Sequence, residues 1–237
     1  MKFSIVIPTY EAKGNGVLLL KNCLDSINLQ TFRDFEIIIS DHSQNSHIEE
    51  FVNMYTSSRS LNITHFYNNR GRGNSSINMN EGIKKAKGEF IKIIHFDDIF
   101  YITTALERIS NILQETNLKW GATAFNHFDG ETKVFGDIRI PSADGVRHHK
   151  NTGWGCPSIS FFHNDREEMN LFDENMIWIN DHDMHYRLKG RYNKAAIVTT
   201  PCISVRRHSN QVSQTHSGQS IEEKEWEYFY KKHNIIK

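Results

Sequence analysis

Proline and cysteine are scarce in this 237-residue chain, with four of the first and three of the second. Cys23, Cys156 and Cys202 are odd in number, widely spaced and form no Cys-x-x-Cys pair. That argues against a disulfide framework and fits a reducing, cytoplasmic setting. An excess of charge of either sign is also missing, because 28 Lys+Arg stand against 28 Asp+Glu. Without a basic surplus, nucleic acid is not expected as the main partner. No apolar run approaches the roughly 18 residues that a membrane span requires. The opening stretch Met1 to Pro8 stops at a proline with no small-residue cleavage site behind it, so it reads as a first buried strand and not as a signal peptide. The 13 histidines are scattered, without zinc-ligand spacing. What remains, 38% hydrophobic residues with no repeat and no low-complexity linker, suffices for one sizeable core. A single soluble domain over 1–237 is the expectation.

The first half alternates regularly. Phe3 to Ile7 reads as a buried strand, and Val17 to Gln30 as a helix with Leu20, Leu24 and Ile27 on one face. Phe35 to Ser40 is a second strand, Ile48 to Tyr55 a helix, and Leu61 to Phe66 a third strand. A polar turn over Asn69 to Asn74 leads into a helix from Ser75 to Lys87, with Gly88 as its expected C-cap. Phe90 to Phe96 is a fourth strand that ends at Asp97-Asp98. Strand–helix alternation predicts an open α/β sheet, mixed and mostly parallel, with ligands beyond the carboxyl ends of its strands. Pro8-Thr9-Tyr10, Asp41 and Asp97-Asp98 all follow such ends, so they converge on one edge.

The second half is less regular. A helix is expected over Thr103 to Thr116, a strand over Trp120 to Phe128, and a hairpin over Glu131 to Pro141. A strand over Ser158 to Phe162, a helix over Asn180 to Lys189 and a strand over Ala195 to Val205 follow. Ile221 to His233 is a charged, aromatic-rich terminal helix. Trp226, Tyr228, Phe229 and Tyr230 beside Lys231 and Lys232 suit either closure of the core or a peripheral contact with a membrane or another subunit.

Taken singly, the acidic motifs are ambiguous. Asp97-Asp98 fits a divalent cation site, since paired carboxylates behind an apolar strand need a counter-charge, but it equally fits a solvated turn with a capping Asp. Asp41 reads as a turn residue or as an acceptor for a nucleobase N–H. Asp181 reads as a helix cap or as a general base, and His182, Asp183 and His185 beside it also permit a separate metal site. Trp154 and Trp178 suit core packing or stacking on sugar rings.

Their order in the chain narrows the choice. Phe3-Ser4-Ile5-Val6-Ile7-Pro8-Thr9-Tyr10-Glu11, then Phe35-Glu36-Ile37-Ile38-Ile39-Ser40-Asp41, Asn80-Glu81-Gly82-Ile83, and His95-Phe96-Asp97-Asp98 together resemble the family 2 glycosyltransferases, which have the GT-A fold. Phe172-Asp173-Glu174 with Asn180-Asp181-His182-Asp183, and Arg206-Arg207-His208, extend the likeness more weakly. The resemblance implies a donor half over 1–100 and an acceptor half over 101–237. It implies donor contacts from Pro8, Thr9, Tyr10, Glu11, Asp41, Arg70 and Asp97, and a Mn²⁺ or Mg²⁺ ion on Asp97, Asp98 and His208. It also implies Asp181 as the base of an inverting transfer from a nucleotide-diphosphate sugar, UDP by default, to a glycan or lipid-linked acceptor in bacterial surface glycan synthesis. Three positions depart from the pattern: His95 replaces an Asp, Met79 an Arg and Asn180 a Glu. With Met79 there, the donor-facing charge falls to Arg70 or Arg72. A non-catalytic nucleotide-sugar-binding subunit, and a nucleotidyltransferase, are the two alternatives. The second lacks its usual Gly- and Arg-rich phosphate loop after the first strand.

Overall fold

The computed structural model describes residues 1–130, 132, 134–142, 154–207 and 219–235. Strand β1 (Phe3–Thr9) and strand β2 (Phe35–Asp41) are buried along their whole length, as strands covered by helices on both faces must be. Helix α1 (Gly16–Asn28) returns the chain between them, burying Leu19, Leu20, Cys23, Leu24 and Ile27. Helix α2 (His47–Ser57) leads to the half-exposed strand β3 (Ile63–Tyr67), and α3 (Ser75–Lys85) leads to β4 (Phe90–Ile93). The short β5 (Ile99–Phe100), α4 (Ala105–Thr116), β6 (Trp120–Asp129), β7 (Ser160–His163), α5 (Asn180–Tyr192), β8 (Ala196–Arg207) and α6 (Gln219–Lys232) complete it.

One eight-stranded sheet runs through both halves in the order β3-β2-β1-β4-β7-β6-β8-β5. β1 pairs in parallel with β2 and β4, β2 with β3, and β6 with β8; β7 and β5 run antiparallel to their neighbours. The sheet is therefore mixed and mostly parallel with flanking helices, as expected from the sequence. From β1 the chain steps outward to β2 and β3, then returns to place β4 on the other side. That reversal leaves a crevice at the carboxyl ends of β1 and β4.

Three expectations need correction. Gly88 is not the helix cap, since α3 ends at Lys85 and Ala86 caps it. Gly88 is required instead because its backbone lies against Phe3 and Ser4, where a Cβ would come within 2.5 Å of the Phe3 carbonyl carbon. The fourth strand stops at Ile93; Ile94 makes one last bond to the Val6 carbonyl of β1, and residues 95–98 form the loop beyond it. The expected hairpin after β6 pairs back onto β6 itself, through Phe125–Arg139 and Phe128–Phe135, on the edge that short β7 leaves open. Glu131 and Lys133 within it lie outside the described residues.

The β6–β8 contact offers a stability test. A Cβ on Gly121 would overlap the Ala196 carbonyl oxygen and the Phe161 ring. Gly121→Ala is expected to cost about 1–3 kcal/mol by overpacking, read as a lowered denaturant midpoint at unchanged m-value.

Candidate active site

A cleft of about 890 Å³ occupies the crevice. It is lined from β1 by Pro8, Thr9, Tyr10 and Glu11, from the end of β4 by His95, Phe96, Asp97 and Asp98, and from the second half by Trp178, Asn180 and Asp181. The loop after β1 is wound tightly: Gly14 and Gly16 N–H groups both donate to the Glu11 carbonyl. Ala12 and Lys13 adopt left-handed φ values of 44° and 53°, strain of the kind that proteins hold beside binding sites. The Tyr10 ring packs edge-on against Phe96 at 5.3 Å, joining the β1 and β4 loops.

The ligand atoms of His95, Asp97 and Asp98 lie within 4.8 Å of one another. The Asp98 carboxylate accepts the Arg206 N–H at 2.9 Å, and burial together with the neighbouring Asp97 charge holds its pKa well above the ordinary carboxylate range. His95 Nε2 is buried and lacks a hydrogen-bond partner among the described residues. Burial also lowers the pKa of its imidazole, favouring the neutral form that binds metals. An orphaned imidazole nitrogen beside two carboxylates is a donor set that fits a divalent cation such as Mn²⁺. His95, read from the sequence only as a departure from the pattern, thus joins the cluster. His208, the third ligand expected there, lies outside the described residues.

Beneath this cluster Lys92 is fully buried, its ammonium donating to the carbonyls of Ile93, at 2.7 Å, and Ser158. Burial pushes its pKa down to about 7. A Lys within the apolar run Phe90 to Ile94 was visible in the sequence and would have marked this position. Opposite, Asp181 is the second residue of α5, and its Oδ1 accepts the His182 N–H at 2.7 Å. Burial pushes its pKa up to about 7, against the lowering effect of that bond.

Two predicted donor contacts sit elsewhere. Asp41 is fully buried and does not line the cleft. Its oxygens accept the Ser43 N–H at 2.8 Å and bond His65 Nε2 at 3.0 Å, shaping the loop from which His42 and Gln44 do line it. Arg70 also faces away, making a two-pronged ion pair with Glu174 and another with Glu81. Arg72 lines the cleft instead, steadied on the His42 carbonyl at 2.7 Å. Among the described residues His182, Asp183 and His185 form no metal cluster: Asp183 bonds Arg187, Lys232 and His233, and His185 bonds Ser160. Trp154 is core, stacked on Trp120 at 5.1 Å, whereas Trp178 lines the cleft.

The model of the glycosyl transferase family 2 matches residues 4–211, which takes in every cleft-lining motif described above. The chain belongs to glycosyl transferase family 2. Among its relatives, an uncharacterised glycosyltransferase of Rickettsia typhi is 27% identical over 97% of this chain and 71% of its own length. One from Rickettsia bellii is 26% identical over 92% of this chain but only 32% of its own length. The GalNAc(5)-diNAcBac-PP-undecaprenol beta-1,3-glucosyltransferase of Campylobacter jejuni is 29% identical over 59% of this chain and 38% of its own. In fold, the chain matches S. aureus TarS 1–349 in complex with UDP-GlcNAc at TM-score 0.69 and 16% identity, over 92% of this chain and 61% of that one. It matches GalNAc-T7 with UDP, GalNAc and Mn²⁺ at TM-score 0.69 and 17% identity, over 97% and 50% respectively. This family member therefore spans about a third of the Rickettsia bellii relative and roughly half to three fifths of those two solved chains. The fold is that of the GT-A-like glycosyltransferases.

Proposed function

We propose that the chain transfers a sugar from a nucleotide-diphosphate donor to an acceptor hydroxyl, with inversion and with the help of a Mn²⁺ or Mg²⁺ ion. The observation that carries this reading is the convergence of the His95–Asp97–Asp98 cluster and the Asp181 carboxylate on one cleft. When bound, the cation would neutralise the departing diphosphate. His95, Asp97 and Asp98 would hold it, with His208 as a further candidate. Pro8, Thr9, Tyr10 and Glu11 would border the nucleoside, Asp41 shaping the neighbouring loop, and Arg72 would add a positive charge. Asp181 would take the proton of the acceptor hydroxyl as its oxygen attacks the anomeric carbon from the face opposite the leaving group. Trp178 offers an aromatic face to an acceptor sugar.

Structures of the same fold holding UDP-GlcNAc, or UDP with Mn²⁺, support a UDP donor. One holding GDP-Man and Mn²⁺ keeps GDP open. The Campylobacter relative's name supports a lipid-linked glycan acceptor and surface glycan synthesis. No helix of the described residues is long and apolar enough to cross a membrane. The three cysteines are unpaired, which supports action in a reducing, cytoplasmic compartment. Of the four aromatics on α6, Trp226 and Phe229 are buried in the core, which leaves Tyr228 as the exposed ring for a peripheral membrane contact. The cleft-lining Asp181 favours catalysis over a purely donor-binding subunit.

Calorimetric titration of UDP, GDP and dTDP with and without Mn²⁺ tests the reading. Metal-dependent binding of one nucleotide supports it, and binding of none with metal present sinks it. Arg72→Ala is expected to weaken that binding about three- to tenfold through a lost charge-assisted contact. Arg70→Ala is expected to leave it within about twofold, because an exposed ion pair facing elsewhere contributes little.

A further inference from the structure

The segment carrying Trp178 and leading into Asp181 is held from outside the sheet. The Glu225 carboxylate, on α6 and 7% exposed, accepts three consecutive backbone N–H groups. Ile177 donates to Oε1 at 2.9 Å, and Trp178 and Ile179 to Oε2 at 2.9 Å each. Ile179, the residue before α5, provides no side-chain cap of its own. Glu225 thus supplies the anion at that helix start from a different element, 44 residues beyond Asp181 in number. The rest of α6 is clamped to the same segment: Lys232 donates to Asp173 at 2.7 Å and to Asp183 at 2.8 Å, while Trp226 and Phe229 pack on Met176 and Ile179.

A buried carboxylate near the intended base is an odd choice for stability alone. Asp181 and Asp183 already place negative charge in the first turn of α5, and a third anion adds repulsion. The three N–H bonds offset that cost and fix the backbone from which Trp178 projects into the cleft. We infer that Glu225 is a positioning residue, whose carboxylate on the C-terminal helix sets Trp178 and Asp181 for the acceptor. The inference rests on the transferase reading of the cleft. Of the charged and titratable groups, Glu225 from α6 raises the proton affinity of Asp181, and the Cys156 thiol senses Asp181 from the segment before β7.

The test compares wild type, Glu225→Gln, Glu225→Asp and, as a control for helix docking, Lys232→Met. Three measurements are made: Mn²⁺-dependent UDP affinity, amide hydrogen exchange at 177–179, and hydrolysis of UDP-glucose, UDP-N-acetylglucosamine and GDP-mannose across pH 5–9. In Glu225→Gln, exchange protection at 177–179 should fall about tenfold or more, since charge-assisted bonds are lost. Hydrolysis should fall about tenfold through misplacement of the base, with its pH inflection moved to lower pH. UDP affinity should stay at the wild-type value, which also shows that the fold survives. Glu225→Asp should restore the inflection in part, and Lys232→Met should leave it in place. Wild-type protection and an unmoved inflection in Glu225→Gln would overturn the positioning role while leaving the transferase reading intact. Hydrolysis of none of the three sugars by the wild type would remove both together.

Discussion

Asp181→Asn should lower sugar transfer by about 10²–10⁴-fold, the usual contribution of a positioned general base. The change is isosteric, so the His182 N–H keeps an acceptor and nucleotide affinity should hold within about twofold. The wild-type pH profile carries the same information. Only the ionised carboxylate accepts a proton, and burial pushes its pKa up to about 7. The rate should therefore rise with pH through about 7 and level off above it, and the Asn variant should lose that rise. Stability should move in the opposite sense. The folded protein binds this proton more tightly than the unfolded chain, whose Asp titrates near 3.9. The ionised group thus costs the fold stability increasingly as pH climbs from about 4 to about 7. Asp181→Asn should melt no lower than wild type at pH 8. A variant both inactive and clearly less stable there would show that Asp181 serves as a structural cap and not as the base.

The second large effect belongs to Asp97. Asp97→Ala should abolish the Mn²⁺-dependent part of nucleotide binding, a loss of roughly hundredfold or more if a ligand to the ion supplies several kcal/mol. In the presence of chelator the variant and wild type should bind nucleotide alike. His95→Ala should fall between them, because an imidazole nitrogen is one donor of the cluster. Calorimetry with Mn²⁺ titrated at fixed nucleotide separates the two. Equal metal dependence in His95→Ala and wild type would assign that nitrogen to packing alone.

Much of this molecule is legible in its amino-acid sequence. The two runs Phe3–Ile7 and Phe35–Ser40 are apolar and β-branched, and strands so composed have few alternatives to a doubly covered parallel sheet. That fold places Pro8–Glu11 and Asp97-Asp98 at one edge as a matter of topology. The second half was harder because its order in space departs from its order in sequence. β7 inserts between β4 and β6, and β5 is two residues long, too short to leave a periodic signal. Side-chain direction was not legible at all. Arg70 and Arg72 differ by two positions on one turn, yet one pairs with Glu174 and the other lines the cleft. Asp41 sits at the expected strand end, but its oxygens serve Ser43 and His65. Glu225 had no local signature, since its three partners lie nearly fifty residues away.

The placement of β7 has a consequence for how the chain is made. β4 and β6 never pair directly; each bonds to β7, which is synthesised after both. Until about residue 163 has emerged from the ribosome, β4 keeps an unsatisfied edge, and the nascent first half presents a template for stray pairing. Non-local closure of this kind is slow, and it lengthens the interval during which a chaperone has a reason to bind.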